Sequence, residues 1–145
     1  MEFIEPKDAS IIGSVVRRFR IASHEDRRGI LHPLDFSALP FVPLHAFLVQ
    51  GSEAGVVRGG HAHRSCQQLF IRLSGAIDVE VLHGALESRL LLDRTGEALL
   101  VAPMVWSRQT YKTADSQLLV LASKPYDEAD YINEQDFLLR ANNPP

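Results

Sequence analysis

The sequence predicts an all-β fold of short antiparallel strands, with one short helix near the end of the chain. From Val56 onward, short runs rich in Val, Leu and Ile follow one another closely, as strands do. Turn sequences such as Ser74-Gly75 and His83-Gly84 separate these runs at intervals typical of an antiparallel sandwich or barrel. The predicted strands in this part are 61–63, 67–73, 76–82, 87–92, 98–102, 107–111 and 117–122.

The N-terminal third is expected to add three strands, at 11–22, 30–34 and 45–50. After Val16 the apolar and polar residues come close to alternation, which is the pattern of a strand with one buried face. A connection at 39–43 that contains two prolines precedes the last of the three strands.

Only the C-terminal segment has a helical pattern. Asn133 is a favourable N-cap residue for a helix over 134–140, and Asp136 stands three positions later, as in a weaker form of the capping box. We expect residues 142–145 to form a frayed tail after a single domain over 1–141.

Length and charge narrow the class of protein. A chain of 145 residues can bury one core, and its 15 basic and 18 acidic residues are mixed, without the basic stripe of a nucleic-acid binder. The single cysteine, Cys66, fits a reducing compartment. Neither a signal sequence nor a run of about 20 apolar residues is present. These features predict a soluble cytoplasmic protein that binds neither nucleic acid nor membranes.

The most informative stretch contains two histidines one residue apart. On a strand, His61 and His63 project to the same face, because side chains alternate with a period of two. The spacing from Gly55 through both histidines and Gln68 to Gly75 is similar to the first signature of a cupin barrel. In a metal-binding cupin, a Glu stands where this chain has Gln68.

The same comparison with cupins argues against a metal site. The second cupin motif corresponds to Gly96 followed by residues 103–108, with one residue more than the common spacing, and places Arg108 where a histidine ligand is expected. Two imidazoles, a neutral amide and a guanidinium are a poor ligand set for a divalent cation. We therefore expect neither a metal nor another cofactor, with a metal-dependent cupin oxygenase or isomerase as the alternative.

Without a metal, a buried pair of imidazoles suits proton transfer. Burial and a neighbouring second cation both disfavour protonation, so at least one histidine is expected to be neutral near pH 7 and available as a base. Such a base beside a second donor can abstract a proton next to a carbonyl group and return it to a neighbouring atom. The alternative is that both histidines are hydrogen-bonded residues of the barrel without chemistry.

Further motifs extend the likeness over almost the whole chain. The chain resembles the cupin-type nucleotide-sugar 3,4-ketoisomerases, which act on dTDP-4-keto-6-deoxyhexoses. The shared segments are Asp26-Arg-Arg28-Gly29 followed by Asp35, Leu39-Pro-Phe41, Arg58-Gly-Gly-His61-Ala-His63 with Gln68, Pro103-Met-Val-Trp106, residues 118–123, and Tyr126-Asp-Glu-Ala-Asp-Tyr-Ile132.

This resemblance implies a metal-free jelly-roll homodimer, often with N-terminal strands exchanged between subunits. It implies that His61 and His63 are the acid–base pair that removes the proton at sugar C3 and reprotonates the enediol at C4. The 3-keto product is commonly passed to an aminotransferase that makes an amino sugar for a surface polysaccharide or an antibiotic. Arg28 and Arg58 are candidates for diphosphate or sugar contacts, and Gln68 for orienting a histidine or binding the sugar.

The chain departs from the family pattern after residue 41. The family usually has Lys-Arg, one residue and then an aromatic that is often Tyr, whereas this chain has Leu44-His45-Ala46-Phe47. His45 is expected to replace the lost arginine in part, and Phe47 cannot supply a hydroxyl. These two departures leave open a related epimerase or a non-catalytic nucleotide-sugar binder, and the carrier nucleotide and the configuration at C4 are also open.

Three further features of the sequence concern Trp106, the acidic segment 126–131 and the remaining histidines. Trp106 either stacks on a base or sugar ring or packs in the core, and Arg108 is placed with it among the candidate substrate contacts. The acidic segment 126–131 is interpreted as a solvated turn that closes the barrel or the dimer, rather than as a metal site. His24, His32 and His83 are assigned no chemistry.

Overall fold

The computed structural model describes residues 2–3 and 12–142. Its strands are β1 (Glu2–Phe3), β2 (Val16–Arg20), β3 (His24–Asp26), β4 (Gly29–Leu31), β5 (His45–Gln50), β6 (Val56–His63), β7 (Gln68–Ser74), β8 (Ile77–His83), β9 (Leu86–Leu92), β10 (Glu97–Val101), β11 (Trp106–Tyr111), β12 (Gln117–Ala122) and β13 (Tyr131–Asn133). Short 3₁₀ helices cover Phe36–Ala38 and Glu128–Asp130, and helix α1 covers Glu134–Asn142. Within these ranges no helix is long and apolar enough to cross a membrane.

Two antiparallel sheets form the body of the molecule. The six-stranded sheet has the order β1-β2-β10-β7-β12-β5, and the five-stranded sheet has the order β13-β6-β11-β8-β9. Strands β3 and β4 form a separate hairpin. The predicted all-β antiparallel fold with a short C-terminal helix is therefore confirmed.

The main core lies between the two sheets, because alternate side chains of both sheets point inward. It is built from residues that are almost all aliphatic: Val16, Phe70, Leu99, Val101, Leu118 and Val120 of the six-stranded sheet, and Ile77, Val79, Val81, Leu90, Leu92 and Tyr111 of the five-stranded sheet.

Each sheet also has an apolar cluster on its outer face. On the six-stranded sheet, Leu69 and Ile71 pack with Leu34, Leu39 and Phe41 of the connection before β5. On the five-stranded sheet, helix α1 contributes Phe137 to a cluster that contains Ala62, Trp106 and Ile132. Strand β7 is consequently buried on both faces, which explains its nearly continuous apolar sequence.

Most predicted strands are present, but several boundaries were wrong. Strand β6 begins at Val56 rather than at residue 61, and β2 occupies only the middle of the predicted 11–22 segment. The strand predicted at 30–34 is Gly29–Leu31, and it pairs with His24–Asp26 in an exposed hairpin outside both sheets. Strand β13 was not predicted, because a turn was expected at its start.

The start of the helix was predicted correctly. The side chain of Asn133 accepts a hydrogen bond from the Asp136 backbone N–H at 2.8 Å, as an N-cap residue does. The helix continues to Asn142, the first residue of the tail that was expected to fray, and residues 143–145 lie outside the described residues.

Candidate active site

The two histidines of β6 share one face, as their spacing predicts. His61 and His63 point away from Ala62, which is fully buried in the cluster beneath α1. Their imidazole centroids are 5.1 Å apart, and the rings are nearly perpendicular. The strand therefore brings the two imidazoles into direct contact.

A β-bulge at the two glycines brings Arg58 to the same cavity. Residues 58 and 61 are separated by an odd number, so a regular strand would place them on opposite faces. The register along β11 shifts at this point, and both Gly59 and Gly60 have positive φ angles, of 86° and 83°. Such angles are readily adopted only by glycine. The Arg-Gly-Gly-His sequence thus directs Arg58 and His61 to one cavity.

Gly59 is also required for space. A Cβ atom at this position would lie 2.9 Å from the Ser107 carbonyl oxygen and 3.0 Å from Nε2 of Gln109. At Gly60 a Cβ atom would meet no atom within 4 Å. Only the first glycine therefore combines a restricted backbone with a close approach of two strands.

The cavity beside His61 has a volume of about 290 Å³ and lies between the two sheets. Strands β5, β6, β7, β11 and β12 line it, together with Tyr131 at the start of β13. The polar groups around it include Arg58, His61, Gln68, Ser107, Gln109 and Tyr131. This mixture of hydrogen-bonding side chains in an otherwise apolar cavity is typical of a small-molecule site.

His63 occupies a more enclosed position than His61. Its exposed fraction is only 8%, and it lines an adjoining cavity of about 20 Å³ that shares Phe47, Gln68 and Tyr131 with the larger one. Nε2 of His63 is buried and has no hydrogen-bond partner within the described part of the chain. The structure thus places His61 against the larger cavity and His63 behind it.

Asp130 holds the enclosed histidine and the turn that follows it. Its Oδ2 atom lies 3.6 Å from Nδ1 of His63. The same carboxylate accepts hydrogen bonds from the backbone N–H and hydroxyl of Ser65 and from the backbone N–H of Cys66. Its backbone oxygen accepts a further bond from the N–H of Arg64. Asp130 therefore connects the turn before β13 to the end of β6.

Burial makes both histidines weak acceptors of protons. It lowers the pKa of His61, and it lowers the pKa of His63 to about 4, with His61 adding to the effect. The carboxylate of Asp130 acts in the opposite direction on His63 but does not outweigh burial. The pKa of Asp130 itself is lowered by its hydrogen bonds to Ser65 and Cys66, although burial opposes them. Near pH 7 the site contains two neutral imidazoles and one carboxylate.

Tyr131 completes the aromatic group. Its ring centroid lies 4.6 Å from that of His61 and 4.4 Å from that of His63. Tyr131 and Asp130 were not predicted as site residues, since their segment was interpreted as a solvated turn. The signal that could have identified them is the segment 126–132, which is one of the blocks shared with the ketoisomerases.

The residues predicted after position 41 lie beside the same cavities. Phe47 lines both of them from β5, and His45 lines the smaller one, with its ring centroid 5.6 Å from that of Phe47. Gln68 also lines both cavities and is buried. The structure therefore brings His45, Phe47 and Gln68 together with the histidine pair.

Three predicted contact residues are placed elsewhere. Arg28 lies in the exposed β3–β4 hairpin and binds Asp26 through its guanidinium group. Trp106, which is 3% exposed, packs beneath α1 on the outer face of the sheet. Arg108 points to that outer face as well and is ion-paired with Glu80. Trp106 and Arg108 alternate with the inward-facing Ser107, so they do not line the cavity of the histidines in this structure.

A larger cavity of about 450 Å³ lies on that outer face, between β8, β9, β11 and the start of α1. Both of its arginines are already ion-paired, since Glu80 pairs with Arg89 and with Arg108. It contains none of the histidine, glutamine or tyrosine side chains that surround His61. Chemistry, rather than volume, therefore identifies the inner cavity as the candidate active site.

The side chains that the structure describes around the histidine pair do not form a ligand set for a metal. Among the described residues, no group of three or more His, Cys, Asp and Glu side chains is placed to hold an ion. Around the two imidazoles, the next nearest polar side chains include the amide of Gln68 and the phenol of Tyr131. A neutral amide and a protonated phenol do not complete a site for a divalent cation.

The fold and the site correspond to a known family. Residues 14–142 match the family model described as FdtA: WxcM-like, C-terminal. The chain belongs to this family. The FdtA family match covers all of the strands from β2 onward and the whole candidate site.

Individual relatives support the same assignment. Over 112 residues the chain is 31% identical to TDP-4-oxo-6-deoxy-alpha-D-glucose-3,4-oxoisomerase of Aneurinibacillus thermoaerophilus, which covers 77% of this chain and 81% of the relative. QdtA, a sugar 3,4-ketoisomerase from Thermoanaerobacterium thermosaccharolyticum solved in complex with TDP, superimposes with a TM-score of 0.84 at 27% identity, over 90% of this chain and 97% of QdtA.

A third relative has a similar structure. A 3,4-ketoisomerase from Helicobacter canadensis superimposes with a TM-score of 0.82 at 25% identity, over 88% of this chain and 98% of that protein. The resemblance to the 3,4-ketoisomerases inferred from the sequence motifs is thus confirmed.

Proposed function

We propose that this protein, an isomerase of the nucleotide-sugar 3,4-ketoisomerase class, converts a dTDP-4-keto-6-deoxyhexose to its 3-keto isomer by metal-independent proton transfer through His61 and His63. The observation that carries this proposal is the imidazole of His61, whose pKa is lowered by burial, beside a cavity that Arg58 and Gln68 also line. The relatives named above are 3,4-ketoisomerases or a TDP-sugar 3,4-oxoisomerase, and a mutant of QdtA was solved with TDP-4-keto-6-deoxyglucose.

The first step needs a base next to the sugar. C3 carries a proton made acidic by the C4 ketone, and His61 lines the larger cavity in its neutral form, so it can accept that proton. Loss of the proton moves an electron pair into a C3–C4 double bond and charge onto the C4 oxygen. Return of a proton to C4 and loss of one from the 3-hydroxyl give the 3-keto product.

His63 supports this step from behind. Its Nδ1 atom faces Asp130, which favours the tautomer with hydrogen on Nδ1 and a free electron pair on the buried Nε2. Because His63 is neutral, no neighbouring positive charge opposes the protonation of His61 when it takes the proton from the substrate. In this proposal His61 and His63 act as one acid–base pair with unequal access to the cavity.

The remaining groups suit recognition of the substrate. The guanidinium of Arg58 is the cation that lines the cavity, and its planar donors match diphosphate or sugar oxygens. Gln68 is buried between both cavities and can bind a sugar hydroxyl or orient an imidazole. Arg28 is also proposed as a phosphate contact. Its side chain in the β3–β4 hairpin is 83% exposed, so it is free to turn toward a bound diphosphate.

The decisive experiment is proton NMR of the purified protein with dTDP-4-keto-6-deoxyglucose in D₂O, with and without EDTA. The proposal predicts loss of the C3 proton signal and growth of a 3-keto product at the same rate in both samples. Activity that disappears with EDTA and returns with one metal ion would instead establish a metal-dependent cupin. Binding without exchange would establish a sugar-nucleotide binder, and exchange without a 3-keto product would indicate an epimerase.

The histidine assignment is tested by three variants. His61→Asn should lower the exchange rate by roughly 10²–10⁴-fold, the usual contribution of a general base, and the double variant with His63→Asn should lower it at least as far. His83→Asn is the matched control, since His83 lies at the end of β8 outside both cavities. Wild-type exchange in the double variant would refute the proposed mechanism.

We also propose a homodimer, located in the cytoplasm, whose product is consumed by an aminotransferase. Apolar side chains are exposed along the edge of the six-stranded sheet and the connection before it, among them Phe36, Val42, Leu44 and Leu48. An exposed group of this kind favours association. Sedimentation equilibrium should give a dimer for the wild-type protein and a monomer after Leu44→Glu and Leu48→Glu.

A further inference from the structure

Tyr131 stands where a proton donor is needed. Strand pairing sets Tyr131 opposite His63, and its ring contacts both imidazoles, with centroid distances of 4.6 Å to His61 and 4.4 Å to His63. It lines the larger cavity beside His61 and the smaller one beside His63. No other side chain contacts both rings among the aromatic contacts of the described residues.

The histidines cannot fill the role of the donor at the start of the reaction. Burial lowers the pKa of both, so each enters the reaction as a neutral base. The C4 oxygen, however, gains negative charge when C3 loses its proton, and it needs a donor at that moment. Burial raises the pKa of Tyr131 above its ordinary value, so its phenol is protonated throughout the neutral range.

We propose that the phenol of Tyr131 is the catalytic acid that donates its proton to the C4 oxygen of the sugar. The inference rests on the proposed ketoisomerase function and names the residue that protonates the C4 oxygen when C3 loses its proton. Phe47, which also lines the cavity, has no hydroxyl with which to do so.

The proton balance closes with these groups alone. His61 takes the proton from C3, the electron pair forms the C3–C4 double bond, and Tyr131 gives its proton to the C4 oxygen, so an enediol and a phenolate are formed. In the second half, the 3-hydroxyl gives its proton to the phenolate of Tyr131. The carbonyl forms at C3, and the double-bond electrons take the proton of His61 at C4. Both side chains return to their starting states, and no oxidant or reductant is required.

Two other hydroxyl groups line the cavity, and both are less suited. Ser107 pairs with His61 in the strand register, but its hydroxyl accepts a hydrogen bond from Nε2 of Gln109 at 3.2 Å, and an aliphatic hydroxyl is a far weaker acid than a phenol. Tyr111 lies four residues after Ser107 on β11 and pairs with Val56. At the rise of a strand this places it roughly 13 Å farther from His61. Its hydroxyl is buried in the core end of the cavity.

Tyr131→Phe tests the inference, because it removes the hydroxyl and retains the ring that contacts both imidazoles. With dTDP-4-keto-6-deoxyglucose in D₂O, we expect kcat for isomerisation and the rate of C3 proton exchange to fall by about 10²-fold or more, the usual contribution of a general acid. The Kd for TDP and the unfolding transition should be unchanged, since the phenol makes no hydrogen bond within the described residues.

Tyr126→Phe is the matched control. Its ring centroid lies 5.8 Å from that of Tyr131, but it is 65% exposed and lines only the smaller cavity, not the one beside His61. The control should keep wild-type exchange and isomerisation rates.

The outcomes separate this inference from the proposed function. A Tyr131→Phe variant that isomerises within threefold of the wild-type rate would overturn the role of Tyr131 and leave the ketoisomerase assignment intact. An equal loss of activity in the Tyr126→Phe control would also overturn it, because the effect would then belong to the local packing. A wild-type protein that shows no C3 exchange would refute the proposed function itself, and with it this deduction.

Discussion

The Asp130 carboxylate lies 3.6 Å from the His63 imidazole while also accepting three hydrogen bonds from the turn at Ser65 and Cys66. One side chain thus fixes the ring of the enclosed histidine and the backbone that follows it. The Ser65 donors are exposed, but the Cys66 N–H is half-buried, so removing its acceptor leaves that N–H without a partner in a place that water enters poorly.

Asp130→Asn should therefore destabilise the protein. The amide group has one acceptor where the carboxylate has two, so we expect the free energy of unfolding to fall by about 1–3 kcal/mol for the donor left unsatisfied. Urea denaturation measures this loss. Asp127→Asn is the control: Asp127 accepts a bond from the Ala129 N–H at a 3₁₀ helix start, a role that Asn fills equally well, and its effect should stay within about 0.5 kcal/mol. Equal effects in both variants would show that Asp130 is an ordinary turn residue.

The lowered pKa of His63 predicts that stability declines on acidification. His63 has a pKa of about 4 in the folded protein and about 6.5 when unfolded, so between these values the unfolded chain binds the additional proton. The stability that comes from keeping His63 neutral is therefore fully present above pH 6.5. It is lost as the pH falls toward 4, by up to about 1.4 kcal/mol per pH unit for one proton. Unfolding free energies at pH 7.5, 6 and 5 measure this slope, and His63→Asn should make it shallower. A slope that this variant leaves unchanged would assign the effect to other groups.

The fold was predictable because its signals are local. Strands β7, β8 and β12 have continuous or alternating apolar residues between turn residues, and Asn133 is a strong N-cap, so short segments already specify these elements. The side-by-side placement of His61 and His63 follows from strand periodicity alone. These parts of the site need no knowledge of which strands pair.

The rest of the site depends on pairings between distant segments. Tyr131 reaches the histidines only because β13 joins β6, and a three-residue strand after an acidic turn has no strong sequence pattern. The face on which Trp106 lies is likewise set by a pairing between distant segments, namely the register of β11 against β8. An aromatic residue near a motif can face either side of its strand, and the packing of helix α1 decided this case.

The two glycines of the bulge, Gly59 and Gly60, make separate contributions to the stability of the fold. Gly60→Ala should cost about 1–2 kcal/mol, because its φ of 83° is unfavourable for a residue with a Cβ, although there is space for the atom. Gly59→Ala should cost more, since it adds a Cβ 2.9 Å from the Ser107 carbonyl oxygen to a similar backbone penalty. Thermal and urea unfolding of the two variants give the order. If Gly60→Ala proved the more damaging, the close approach of β6 to β11 would not be the limiting feature.

Trp106 should stabilise the fold and make no contact with the nucleotide sugar. It is 3% exposed beneath Phe137 of helix α1 and faces away from the cavity that contains His61. Trp106→Phe leaves an unfilled volume in this cluster, so we expect a loss of about 1–3 kcal/mol in unfolding free energy. The Kd for TDP, measured by calorimetry, should remain within twofold of the wild-type value. Phe137→Leu is the matched control from the helix side of the same cluster and should give the same combination of effects. A tenfold weaker affinity for TDP in Trp106→Phe alone would show that the indole ring stacks on the ligand after all.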